Sequence, residues 1–233
     1  MNGDQLTAVA LQANLAASNG AFALWCSGGD SIVTWGKADH GGDSSAVQSQ
    51  LNNVQQVRAT GSAFAAIPDS GAVVAWGASE CGGNSSIVQD RLQNVQQIQA
   101  TARAFAAMPA DGSVVAWGHP KAGGDSFDVQ DLRNVQQVRS AEGGAFAAIL
   151  EDGSVVTWGS LFCGGDCSAI QDQLRSVQQV QATHFAFAAI LEDGSVVTWG
   201  NPDSGGDSSA VQDQLKSVRQ LAGAQFAFAA VLA

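Results

Sequence analysis

The chain has 233 residues, of which 45% are hydrophobic and only 13% charged, and ten Lys and Arg stand against 21 Asp and Glu for a net charge of −11. So few charges exclude charge-driven disorder and a long solvated helical rod, and the acidic balance argues against direct binding of nucleic-acid backbones or anionic membrane surfaces. With 27 Gly, 4 Pro and no Tyr, the composition predicts many tight turns between short apolar segments.

The opening segment, residues 1–20, has no basic stretch, and Gln12 and Asn14 interrupt its apolar run. It does not read as a signal peptide, and no run along the chain approaches the roughly 18 to 20 apolar residues of a membrane-spanning helix. Cys26, Cys81, Cys163 and Cys167 recur at no common repeat position, so they read as structural thiols rather than as a disulfide framework or a metal site. A reducing, intracellular and hence cytoplasmic setting is favoured.

From Trp35 onward the sequence is periodic. Trp-Gly pairs stand at Trp35, Trp76, Trp117, Trp158 and Trp199, a constant step of 41 residues. The Gly pairs that begin at Gly41, Gly82, Gly123, Gly164 and Gly205 keep that step, as do Phe64, Phe105, Phe146, Phe187 and Phe228. One repeat domain over residues 1–233 is expected, with units ending near residues 36, 77, 118, 159 and 200 and a half unit over residues 201–233.

Each unit opens on a strand such as residues 55–59, with Val57, Ile98, Val138, Val180 and Leu221 at the buried position. A hairpin follows, typified by Phe187 to Leu191 and Ser195 to Gly200 around Glu192-Asp193-Gly194. Both hairpin strands are apolar on both faces, so each sheet needs another layer against each side. After Trp-Gly, the triplets Val47/Leu51/Val54, Val88/Leu92/Val95, Ile170/Leu174/Val177 and Val211/Leu215/Val218 have the spacing of one apolar helical face, and predict a short helix behind an Asp or Ser cap. The third unit shortens this to Val129/Leu132/Val135 and regains the residue before Phe146.

Repeats of this length belong to propeller blades or solenoid coils. The expected fold is all-β with short helices, a β-propeller of about five to six blades; the alternative is an open superhelix of three-stranded sheets and short helices. Residues Ala189 to Gly200 resemble the A-L-x-x-D-G-x-V-x-x-W-G segment of the regulator-of-chromosome-condensation repeat, and the resemblance extends through five copies over nearly the whole chain. It implies a β-propeller that serves as a protein-binding platform. The chain departs from the family in having Gly-Gly-Asp-Ser where G-Q-L-G is usual, which suggests helix in place of each outermost strand, and Ala63, Ala104 and Ala145 where the family has His.

The polar residues give no catalytic signature. Asp43, Asn84, Asp125, Asp166 and Asp207 recur after each Gly pair, and a rim of five such groups could attract cations or a basic partner. Turn and cap duty accounts for them without a ligand. His40, His119 and His184 fall at unrelated repeat positions, and no nucleophile is paired with a base at a recurring spacing. No unit departs from 41 residues by more than one, so the projecting wedge on which nucleotide exchange depends in the resembled family has no counterpart. No catalytic residue, cofactor or metal site is therefore expected. The expected function is a non-enzymatic scaffold that binds another protein, with no direct nucleic-acid contact. The alternative is a structural subunit or segment of a larger assembly; small-ligand binding in a central channel ranks third.

Overall fold

The computed structural model describes residues 12–27, 29 and 31–233. Among the described residues six small antiparallel sheets follow one another, five joined in the simple order first, second, third strand and the last two-stranded. The first holds β1 (Ala13–Ala17), β2 (Ala21–Cys26) and β3 (Ile32–Gly36); the second β4 (Gln56–Ala59), β5 (Ala63–Ile67) and β6 (Val74–Gly77). The third holds β7 (Val95–Ala100), β8 (Ala104–Pro109) and β9 (Val115–Gly118); the fourth β10 (Val135–Ala141), β11 (Ala145–Leu150) and β12 (Val155–Gly159). The fifth holds β13 (Val177–Ala182), β14 (Ala186–Leu191) and β15 (Val196–Gly200), and the sixth pairs β16 (Val218–Gly223) with β17 (Phe228–Leu232). The reading of the opening segment lies outside the described residues as far as residue 11. From Ala13 the chain is already the first strand of a sheet, in the place that the glutamine-rich strand takes in every later unit.

Every residue of β5 is buried, and so are most of β8, β11 and β14, as two-faced apolar strands require. Each layer of core is shared between one sheet and the next. Ala21, Ala23, Trp25 and Ile32 of the first sheet pack with Val57, Phe64, Ala66, Val74 and Trp76 of the second, and the later sheets repeat the arrangement. We call the side carrying Phe64 and Trp76 the aromatic face and the side carrying Ala63 and Ala65 the small face. Aromatic face packs on small face at every interface, so large side chains meet alanines and the sheets approach closely.

The 41-residue spacing of Phe, Trp and Gly-Gly has one cause. Phe64 and Trp76 lie opposite each other in register and stack with ring centroids 5.3 Å apart, and the Trp76 indole N–H donates to the Gly41 carbonyl of the preceding unit at 2.9 Å. Gly41 has φ +89, and a Cβ there would sit 2.5 Å from the Phe64 ring. Trp117, Trp158 and Trp199 donate in the same way to Gly82, Gly123 and Gly164. Trp, Phe and Gly are thus three parts of one joint between consecutive units.

The predicted short helices are present as 3-10 segments. Val47 to Val54 and its copies form only short 3-10 segments, Gln48–Gln50 and Gln89–Arg91 among them, before the chain extends. Leu51 and Val54 are buried as the spacing required, yet burial is reached by a turn followed by extended chain. A side-chain relay holds this linker to the third strand. Ser44 donates to the Gln48 side-chain oxygen, and the Gln48 amide donates to the Ile32 carbonyl; Ser85 with Gln89, Cys167 with Gln171 and Ser208 with Gln212 repeat it. Glutamine thereby ties this linker to the outer sheet edge, and Cys167 occupies a serine position. Among the described residues no helix is long and apolar enough to cross a membrane.

Candidate binding surface

The five acidic or amide residues behind the Gly pairs have local duties. Asp43, Asn84, Asp125, Asp166 and Asp207 each accept the backbone N–H two residues on, at 2.8 to 3.0 Å. These are Asx turns, and only Asp125 is the direct N-cap of a 3-10 helix. Hydrogen bonds from Ser45, Ser168 and Ser209 hold the carboxyls of Asp43, Asp166 and Asp207 below the usual carboxylate range. Asp111, Asp152 and Asp193 do the same at the hairpin tips, facing Ser113, Ser154 and Ser195. Among the described residues no three His, Cys, Asp or Glu side chains gather as a metal site would require. All four cysteines are free; Cys163 and Cys167 are buried in one core layer.

A second surface is built by the turns between first and second strands. These turns bond to one another from sheet to sheet: Asn19 N–H to the Gly61 carbonyl, Gly61 to Ala102, Ala102 to Glu142, Gly143 to His184, and His184 to Gln225, at 2.7 to 3.0 Å. Buried Thr60, Thr101 and Thr183 brace the turns by donating to the carbonyls of Cys81, Ala122 and Ser204. The result is a continuous backbone spine with side chains projecting from a fixed base.

Along this spine the chemistry changes. At its third turn Arg103 lies 3.6 Å from Glu80 in an exposed pair. Near its end Phe162, Phe185 and Phe226 form a chain of ring contacts, the first pair edge-on at 5.6 Å and the second stacked at 6.0 Å, with His184 packed on both Phe185 and Phe226. His184 Nε2 is 3.0 Å from a Glu142 carboxylate oxygen. Phe162 is 62% exposed, Phe226 50% and neighbouring Leu161 75%. Sequence reasoning set His184 aside and passed over these phenylalanines. The available signal was the doublet Phe185-Ala186-Phe187 and its copy Phe226-Ala227-Phe228, where earlier units have Ser, Arg or Gly at the first position. His40 and His119 lie elsewhere, His40 4.0 Å from Asp39.

A third feature, a groove of about 540 Å³, is polar, with Gln137, Arg139, Gln179, Glu192 and Arg219 among its lining residues. It lacks the predominantly apolar walls of most small-molecule sites.

Stacked small antiparallel sheets, the first five joined by Trp-to-Gly hydrogen bonds, have structural parallels. Prp20p from Saccharomyces cerevisiae, reported with its binding to Gsp1p and histones, superposes with a TM-score of 0.55 at 16% identity, over 92% of this chain and 67% of that one. The fold is that of the RCC1-like β-propellers. Yeast RCC1 (Prp20) bound to Kap60 gives the same score at 18% identity, over 80% of this chain and 55% of that one. Human WBSCR16 gives 0.52 at 16% identity, over 94% and 66%. The chain spans between about half and two-thirds of these RCC1-like structures. Compared by sequence, it matches no protein-family model and no curated protein.

Proposed function

We propose that the chain is a non-enzymatic protein-binding scaffold whose docking surface is the aromatic end of the turn spine. The observation that carries this reading is the cluster of exposed Phe162 and Phe226 with half-buried Phe185 and His184, held on a hydrogen-bonded backbone. Contiguous exposed aromatics on a rigid base suit a protein partner, because burying them on binding removes apolar surface with little loss of conformational freedom. Binding of Gsp1p and histones by Prp20p, which shares this fold, agrees with such a use. The near-constant unit length argues against nucleotide exchange, since no repeat carries an insertion long enough to project as a wedge.

The test is site-specific photocrosslinking from residue 185 or 226 in cells that produce the protein, with residue 87, on an exposed linker, as the control. A partner band expected from positions 185 and 226, and lost in a Phe162→Ser, Phe226→Ser double variant of unchanged circular dichroism, supports the assignment. Equal labelling from position 87, or partner binding that survives the double variant, would overturn it.

A further inference from the structure

The fourth turn of the spine is built differently from its neighbours, and the difference lies beside the phenylalanines. Val57 and Phe64, Ile98 and Phe105, and Val180 and Phe187 are seven residues apart, whereas Val138 and Phe146 are eight apart. In the shorter turns one residue makes both spine bonds: Gly61 accepts from Asn19 and donates to Ala102, and His184 accepts from Gly143 and donates to Gln225. In the fourth turn two residues share the task, Glu142 accepting from Ala102 and Gly143 donating to His184.

The added residue has two consequences. Gly143 lies so close to Phe185 that a Cβ there would overlap the ring, so Phe185 rests on bare backbone. Glu142 stands at the edge of the rings with its side chain 64% exposed and a carboxylate oxygen 3.0 Å from His184 Nε2. Among the described residues His184 is the one basic side chain paired with it. Phe226 packs on the same imidazole, with ring centroids 6.0 Å apart. A solvent-facing carboxylate thus borders a bank of aromatic rings, in a chain whose net charge is −11.

That combination discriminates among partners. A purely apolar segment would bury the rings but strip water from a carboxylate without pairing it, and an acidic segment would be repelled. Arginine suits both halves of the surface. Its planar guanidinium stacks on aromatic faces and presents a fork of N–H donors to a carboxylate, whereas a lysine ammonium is a compact, strongly hydrated point charge.

We infer that the segment docked on the aromatic end of the spine is basic, and that it lays an arginine against Phe185 and Phe226 with the guanidinium on the Glu142 carboxylate. The contact rests on the docking surface proposed above and specifies what that surface takes. In the free protein His184 keeps the carboxylate beside the rings.

Titration with capped tripeptides, acetyl-Leu-Arg-Leu-amide and its counterparts with Gln or Lys at the centre, tests this through the backbone amide shifts of the full chain. The Arg peptide should shift Gly143, Phe185 and Phe226 and bind about fivefold tighter than the Gln peptide, with the Lys peptide between them. Glu142→Gln should bring the Arg peptide down to the level of the Gln peptide and leave the Gln peptide unchanged. Its backbone carbonyl still accepts from Ala102, so the spine is expected to stay intact. A Gln or Lys peptide that binds as tightly as the Arg peptide, shifts confined to other surfaces, or unchanged Arg binding by Glu142→Gln would each overturn the arginine contact. Crosslinking from positions 185 and 226 separates this from the docking surface itself. A partner captured equally by the unaltered chain and by Glu142→Gln rejects the arginine contact and keeps the surface, whereas no partner from the unaltered chain rejects both.

Discussion

The first and third sheets carry the same Phe-Trp pair in nearly the same geometry, with ring centroids 5.4 Å apart in Phe22–Trp35 and 5.2 Å in Phe105–Trp117. Their surroundings differ completely: Trp117 is 4% exposed and its indole reaches Gly82, while Trp35 is 45% exposed. A repeat motif thus makes its own stacked pair within one sheet, but turns that pair into core only when the preceding unit supplies the Gly-Gly loop and a small face. Stability in such an array lies largely between units.

The contrast can be broken most directly at the tryptophans. Trp117→Ala is expected to cost about 3–5 kcal/mol in urea denaturation, since it opens a cavity and leaves the Gly82 carbonyl unpaired. Trp35→Ala should cost about 1 kcal/mol, the scale of an aromatic pair without further burial. Comparable losses at both sites would refute the difference between middle and end.

Glycine at the joint gives a smaller effect of the same kind. Gly123 has φ +87 and a Cβ there would lie 2.6 Å from the Phe146 ring, which Trp158 holds from the other side. Gly123→Ala should destabilise by about 1–3 kcal/mol. Gly205→Ala meets Phe228 in the two-stranded sixth sheet, where no described tryptophan restrains the ring, and should cost less. Thermal unfolding of the two variants would rank them.

Thr101→Val removes the hydroxyl that accepts from Ala104 and donates to Ala122, both buried, and is expected to cost about 1–2 kcal/mol. Amide exchange near Ala102 would show whether the spine loosens locally.

The smallest effect concerns pH. The carboxyls of Asp43, Asp166 and Asp207 are held below their usual range by hydrogen bonds from the folded chain, so their contribution is present above the unfolded value of 3.8 and fades as pH falls through the lower folded values. Replacing all three with Asn keeps an acceptor oxygen, as Asn84 shows, and should flatten the acid limb of a stability-against-pH curve while leaving neutral pH nearly unchanged. An unaltered acid limb would count against these turns as its source.

Much of the fold was legible because its joint uses residue types with few alternatives. Gly at positive φ under an aromatic ring and Trp at a fixed offset admit little substitution, so they print a period on the chain. The short helix of the linker was legible from Val47, Leu51 and Val54, but their spacing does not tell an α-helical turn from a 3-10 turn followed by extended chain. β1 went unread because Asn-Leu-Ala lacks the glutamine-valine signature of its later copies. The aromatic surface escaped because Phe162, Phe185 and Phe226 come from two units and meet only through the stacking of sheets.

The 41-residue step and the strands apolar on both sides determined by themselves that this chain repeats small sheets covered on both faces, since neither face can be left in water. Tertiary structure alone decided which surfaces remain outside. Exposure is a property of neighbours: Phe22 and Phe64 have the same sequence context and opposite fates, because one sheet has a predecessor against it and the other presents that face at the end of the array.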